Sequence, residues 1–328
     1  MTKRERVLAA LRGEQVDRVP VSAWRHDFLR EWTPEGLAQA TIDAYRKFDW
    51  DFVKVNPRAS YYAEDWGSRY QPSGRADQSP QLIEPAVKSA ADLARVRALD
   101  VSRGAYGEQL AALGIIAGEL AGEAPVVQTV FSPLAVMSRL TGSTEAVQGL
   151  MREAPRQFEA ALIIVAETLA DYARACLDRG AAGIFFATVE WGSRDSISAA
   201  DYERFGRPFD LQVLAVIPRA GFNVLHVCRD NNLLEHLLDY PVAAFHWDVR
   251  ARANPRLADI LARSNKAVMG GVARETIMAP GSPEAVAAEA RAAIAETGGR
   301  RFLLAPGCSV DPQAPAANLH ALREAAGP

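Results

Sequence analysis

In the stretch GFNVLHVCRDNN, residues 221–232, an imidazole and a thiol stand two positions apart, as His226 and Cys228. An apolar run precedes them, so they read as the end of a β-strand, where alternation puts both on one face. A second thiol, Cys308, follows a Pro-Gly turn in LLAPGCS, 80 residues beyond Cys228. A lone H-x-C is usually a strand histidine satisfied by a carbonyl, but a third donor of the right type changes that weighing. One imidazole with two thiolates is a borderline-soft set that suits zinc. Three protein ligands and one exchangeable position make the pattern of a catalytic site. His246 and Asp248, in PVAAFHWDV, are candidates for a fourth ligand, with Glu190 a weaker one. The remaining thiol, Cys176 in DYARACLDRG, sits among apolar helical neighbours and reads as packing.

Such ligands need elements that bring residues 226 and 308 together. Eight short apolar runs have strand character: 18–24, 51–56, 125–131, 182–188, 221–227, 241–247, 266–272 and 301–306. Alanine-rich segments of helical period separate them, including SPLAVMSRL, 144–179, 200–219, 231–238, 255–264 and 283–296. Strand followed by helix, repeated, implies parallel strands with helical crossovers. Eight such units predict an α/β fold of the (β/α)8 TIM-barrel type, with 1–328 as a single domain. A doubly wound open sheet is the alternative, but no G-x-G-x-x-G follows the first strand.

Barrel chemistry gathers at the carboxyl ends of the strands. That rim is expected to hold Arg25, His26, Asn56, Ser132, Thr188, Glu190, His226, Cys228, His246, Asp248 and Cys308. It collects three of the five histidines and two of the three cysteines. Residues 57–124 are too long for one crossover and read as an insertion after the second strand, with a hairpin and helices near 89–97 and 104–121, covering the mouth. Trp24, Tyr61, Tyr62 and Trp66 either line that mouth or pack the insertion down.

Bulk composition narrows the class. Of the 328 residues 49% are hydrophobic, enough for a large core, and the net charge of -3 offers no basic bias toward nucleic acid. Three dispersed cysteines make no disulfide framework and fit a reducing compartment. The amino terminus does not read as a signal peptide: Val7, Leu8 and Leu11 are spaced like one helix face, and Thr2, with Glu5 three residues on, is placed to cap that helix. No apolar run approaches a membrane span, so the expectation is a cytoplasmic monomer or homodimer.

Four stretches carry a family resemblance: MTKRERVLAALRGEQVDRVPV, RKFDWDFVKVNPRASYYAEDWG, DRGAAGIFFAT and LLAPGCSVDPQAPAANLHALREA. In order and across nearly the whole chain, they resemble the uroporphyrinogen decarboxylase superfamily. The resemblance implies a (β/α)8 barrel and one of two activities. These are cofactor-free decarboxylation of uroporphyrinogen, and zinc-dependent methyl transfer from a methyl-corrinoid protein to the thiol of coenzyme M.

The decarboxylase pattern fails at four places. Arg25 of WRHDFLREW matches its first arginine, but the following glycine and second arginine are missing. Asn56 stands where those enzymes have an essential aspartate, Arg139 falls near their tyrosine, and PGCS replaces a histidine. The methyltransferase branch instead resembles this chain in H-x-C followed by a distant cysteine, which implies His226, Cys228 and Cys308 as zinc ligands. That branch has an acidic further ligand where His246 stands here, two positions before Asp248. The implied partners are a corrinoid protein carrying methylcobalamin and a small-molecule thiol acceptor. Arg25, His26, Lys54, Asn56, Arg139 and Glu190 are the candidate substrate contacts. A cofactor-free decarboxylase and a non-catalytic corrinoid- or metal-binding module are the alternatives.

Overall fold

The computed structural model describes residues 1–277 and 281–327. Its strands are β1 (Val53–Val55), β2 (Arg69–Gln71), β3 (Gln81–Glu84), β4 (Val126–Phe131), β5 (Gly183–Ala187), β6 (Val224–Val227), β7 (Ala244–Trp247), β8 (Ala267–Val272) and β9 (Phe302–Pro306). Seven of them form one curled parallel sheet in the order β1-β4-β5-β6-β7-β8-β9, while β2 and β3 pair as a separate antiparallel hairpin. Parallel neighbours require crossovers, and helices such as Pro155–Asp178 and Pro283–Thr297 supply them. This is the expected barrel.

The strand expected over 18–24 is instead a segment of isolated bridges. Pro20 has no N–H to give a ladder. The segment still closes the barrel between the sheet's two edges. On one side, Ser22 N–H donates to Leu304 O and Leu304 N–H to Pro20 O. On the other, Asp51 N–H donates to Val21 O and Ser22 Oγ to Phe52 O at 2.7 Å. Asp51 pins the seam: Arg6 Nη1 reaches its Oδ1 at 2.7 Å, Arg18 Nη2 the same oxygen at 3.0 Å, and Val21 N–H its Oδ2 at 2.9 Å. Asp51 is fully buried, so its charge is tolerated only because every lobe of the carboxylate is occupied.

Strand alternation sorts the core into two layers. Val127, Phe185, Val224, Ala244, Ala267, Met269, Leu303 and Ala305 fill the barrel, joined by Val7 and Leu11 of the amino-terminal helix. Ile184, Leu225, Phe245, Val268 and Leu304 face outward against the helices. That helix, Lys3–Arg12, has the Thr2–Glu5 capping box the sequence announces.

Other expected elements shift for local reasons. The helix over 144–179 becomes two, broken at Pro155, and that over 200–219 becomes Ala199–Phe205 and Arg207–Leu214, broken at Gly206. No α-helix forms over 231–238; only a 3-10 turn, Leu234–His236, is present. Arg229 and Asn231 adopt left-handed φ of 73° and 50°, and Asn232 Oδ1 caps Leu234 N–H instead of a longer helix. In the insertion, Tyr61 and Tyr62 are buried and Trp66 Nε1 donates to Arg97 O, so these aromatics pack the segment down.

Candidate metal centre

Parity along the strands aims the site residues. On β6, Val224 points into the barrel, so His226 does too and Leu225 does not; on β7 the same holds for Ala244 and His246. The register of β6 on β7 pairs His226 with His246 side by side. Cys228 lies one residue past β6, and Cys308 two residues past β9. The backbone around them is held tightly. Thr188 donates to His226 O through both N–H and Oγ, and Gly307 N–H donates to Val272 O.

His226, Cys228 and Cys308 bring one donor atom each to within 4.8 Å of the others. The two sulfurs are 3.8 Å apart, and Cys308 Sγ is 3.8 Å from His226 Nε2. A tetrahedral zinc at ~2.3 Å from each thiolate spaces two sulfurs by about 3.8 Å, with sulfur and nitrogen slightly closer. The donor set therefore fits zinc in its chemistry and in the spacing of Cys308 from the other two donors. The hydrogen bond between the two sulfurs holds the Cys308 thiol well below the usual thiol range, against the opposing effect of burial. Cys228, as the donor in that bond and buried, is pushed up.

His246 packs against His226. Its Nδ1 is 2.7 Å from His226 Nδ1, and its Nε2 is 2.8 Å from Pro306 O. Burial holds its pKa well below that of free histidine, so the ring is neutral at physiological pH. Both of its nitrogens are thus occupied, and it is absent from the three-residue cluster. Asp248 is also outside that cluster. Its Oδ1 accepts from Arg250 N–H at 3.0 Å, and burial raises its pKa.

Beside the cluster opens a cavity of about 470 Å³ lined by Trp24, Arg25, His26, Phe48, Lys54 and Asn56 among others. Lys54 is buried, with its ammonium 4.9 Å from the Phe185 ring centre and 5.5 Å from that of Trp24. Burial lowers its pKa to about 7, against the opposing pull of Cys308 and Cys228. It donates to Asn56 Oδ1, which also accepts from Ser309 Oγ at 3.3 Å, while Asn56 Nδ2 is buried without a partner. Arg25 donates to the carbonyls of Pro312 and Ala314. His26 Nδ1 is 2.8 Å from Oε2 of Glu31, a fully desolvated carboxylate side chain whose other oxygen has no partner.

Sequence reading thus finds Arg25, His26 and Asn56 together on one cavity. It misses Glu31, whose only signal is an acid five residues after His26. Arg139 and Glu190 are not among the residues lining that cavity. Arg139 Nε donates to Tyr62 Oη at 2.9 Å, and Glu190 lies in the 3-10 turn Val189–Gly192; burial raises the Tyr62 pKa, and the nearby Glu190 charge adds to it. Cys176 is fully buried in the helix Pro155–Asp178 and its thiol is pushed up by burial, consistent with packing.

Comparison with known proteins places this geometry. The family model described as uroporphyrinogen decarboxylase (URO-D) matches residues 2–327. A methylcobamide:CoM methyltransferase MtaA of Methanosarcina barkeri is 26% identical over 98% of this chain and 96% of its own length. A uroporphyrinogen decarboxylase of a Synechococcus species is 24% identical over 96% of this chain and 95% of its own. Among solved structures, a methyltransferase from Methanosarcina mazei superposes with a TM-score of 0.86 at 23% identity, covering 99% of this chain and 98% of its own.

Proposed function

The chain belongs to the uroporphyrinogen decarboxylase family, and within it we propose a zinc-dependent methyltransferase that moves a methyl group from a methyl-corrinoid, presented by a corrinoid protein, to a small thiol. The observation carrying this reading is the His226–Cys228–Cys308 triad, with Cys308 Sγ 3.8 Å from both the Cys228 sulfur and His226 Nε2. The similarity to a methylcobamide:CoM methyltransferase supports it.

His226, Cys228 and Cys308 would hold the ion, and zinc bound there supplies a Lewis acid that turns an acceptor thiol into a thiolate near neutral pH. The protein's own groups bind and align the acceptor. Arg25 and Lys54 are cations without a carboxylate partner among the described residues, and they suit an anionic acceptor. Asn56 Nδ2 offers an unused donor to an acceptor oxygen. His26, oriented through Nδ1 by Glu31, is available to hold the proton the thiol releases. Trp24 and Phe185 line the approach with apolar surface and exclude water from the donor set.

Decarboxylation is the second reading, favoured by the similarity to a uroporphyrinogen decarboxylase. Asn56, bonded to the ammonium of Lys54, speaks against it, because a neutral amide cannot balance the cationic charge of a protonated pyrrole. The deciding experiment is metal analysis joined to an assay of methylcobalamin with a panel of thiols. Near-stoichiometric zinc, lost in Cys228→Ser and Cys308→Ser, with thiol-dependent loss of the methyl–cobalt bond supports the methyltransferase. Zinc-free protein that decarboxylates uroporphyrinogen overturns it. A zinc protein inert toward every methyl donor and thiol leaves a binding module.

A further inference from the structure

We propose that His246 is a positioning residue that fixes which nitrogen of His226 faces the metal, and that it is not a ligand. The inference rests on the metal-binding half of the reading above and is independent of methyl transfer.

The direction of each hydrogen bond follows from what its partners can do. Pro306 O is a carbonyl and only accepts, so the contact at 2.8 Å puts a proton on His246 Nε2. Buried against Trp24 and Phe185, with no carboxylate paired to it among the described residues, the ring carries one proton, which leaves His246 Nδ1 as an acceptor. His226 Nδ1, 2.7 Å away, must then be the donor. A second acceptor agrees, since His226 Nδ1 also lies 3.3 Å from the carbonyl of His246. With its proton on Nδ1, His226 has the lone pair on Nε2, the atom facing Cys308 Sγ. The chain of bonds runs from the end of β9, through His246, to His226. It therefore orients the imidazole ligand from the strand that delivers Cys308.

Position supports this as much as hydrogen bonding. His246 is fully buried, and its ring packs against Trp24 at 5.2 Å and Phe185 at 5.2 Å between centroids. Turning either nitrogen toward the sulfurs would break one of its two bonds and strand a polar atom in an apolar wall. Partners of this kind on a metal-bound histidine commonly affect affinity about 10–100-fold when removed.

Two variants separate positioning from ligation and from packing. His246→Gln keeps an acceptor for His226 and a donor for Pro306, whereas His246→Leu keeps volume and neither bond. Zinc affinity is measured by competition with a chromophoric chelator, and the His226 tautomer by 15N–1H correlation in metal-free protein. The expected result is a His226 proton on Nδ1 in wild type and His246→Gln, and a proton shared between Nδ1 and Nε2 in His246→Leu, where only the backbone carbonyl at 3.3 Å remains as acceptor. Zinc affinity should fall about 10–100-fold in His246→Leu and no more than a few-fold in His246→Gln. A His226 proton on Nε2 in wild type overturns the proposal, as does a His246→Gln protein that binds zinc as poorly as His246→Leu. A wild type that binds zinc with this tautomer yet transfers no methyl group overturns the proposed activity and leaves the positioning role standing.

Discussion

Cys228 and Cys308, 80 residues apart in sequence, hold their sulfurs 3.8 Å from one another at the ends of β6 and β9. Neither strand is the other's neighbour in the sheet, so the contact is made across the barrel mouth. The curl of the sheet makes that approach possible, and its consequences can be measured.

Metal removal should expose the pair to oxidation. A disulfide bond is about 2.05 Å long, so closing it needs the sulfurs to approach by less than a residue's width. Diamide applied to chelator-treated protein is expected to take one hydrogen from each thiol and form an intramolecular Cys228–Cys308 bridge. Zinc should protect against it. Peptide mass mapping checks this; a mixed population bridging Cys176 would show that the ligand loops are not held as described.

Gly307 is a second point of control over Cys308. A Cβ added there would meet Asp248 side-chain atoms at 2.7–2.8 Å, closer than real contacts allow. Gly307→Ala should therefore move the Cys308 loop and weaken zinc binding at least about 10-fold. Gly118→Ala, where an added Cβ meets nothing within 4 Å, is the matched control. It should stabilise its helix by about 0.5–1 kcal/mol and leave metal binding alone. Equal zinc affinity in both variants would refute the expected coupling.

Stability should depend on Asp51. Removing it leaves Arg6 and Arg18 buried without their shared acceptor and frees the Val21 N–H. Asp51→Ala is expected to cost about 3–5 kcal/mol in urea unfolding, as breaking a buried ion pair generally does. A change below about 1 kcal/mol would mean the seam is closed by the backbone bonds alone.

Asp210 predicts a pH dependence of stability. It is buried, accepts from Tyr202 Oη and Tyr240 Oη, and has one oxygen without a partner. Burial raises its pKa from 3.8 to about 7. The folded protein keeps this proton where the unfolded chain has lost it, so stability falls as pH rises from about 4 through 7. Asp210→Asn, which needs no proton, should match wild type near pH 4 and exceed it by about 2–4 kcal/mol at pH 8. Urea midpoints at the two pH values test this. A constant difference would mean that Asp210 ionises in the fold as it does in water.

Much of this site is legible in the sequence. The alternation of LHV and FHW gives the facing of His226 and His246, and the Pro-Gly turn gives the position of Cys308. What remained hidden depends on register and seam. Two histidines at matching offsets in consecutive strands become partners only when the strands pair with His226 beside His246. The sequence pattern made His246 a candidate ligand because it cannot say which side of His226 a neighbour occupies. The 18–24 segment read as a full strand because its apolar pattern is that of one, while the proline that interrupts its ladder acts through a missing donor. Glu31 and Asp51 are ordinary acids in the sequence; their burial, 1% and 0% exposed, comes from long-range packing.

The seam has a consequence for how the protein comes into being. Val21 bridges to Leu304, and Arg25 to Val310, so the earlier segment waits for one that lies far later in the chain. The same late stretch delivers Cys308. On a ribosome, where chains emerge amino end first, the barrel stays open and the triad short of one sulfur until the stretch around Cys308 has been made. Loading of the proposed zinc would therefore be tied to a closed barrel, and a translation product interrupted before Cys308 would have no complete binding site.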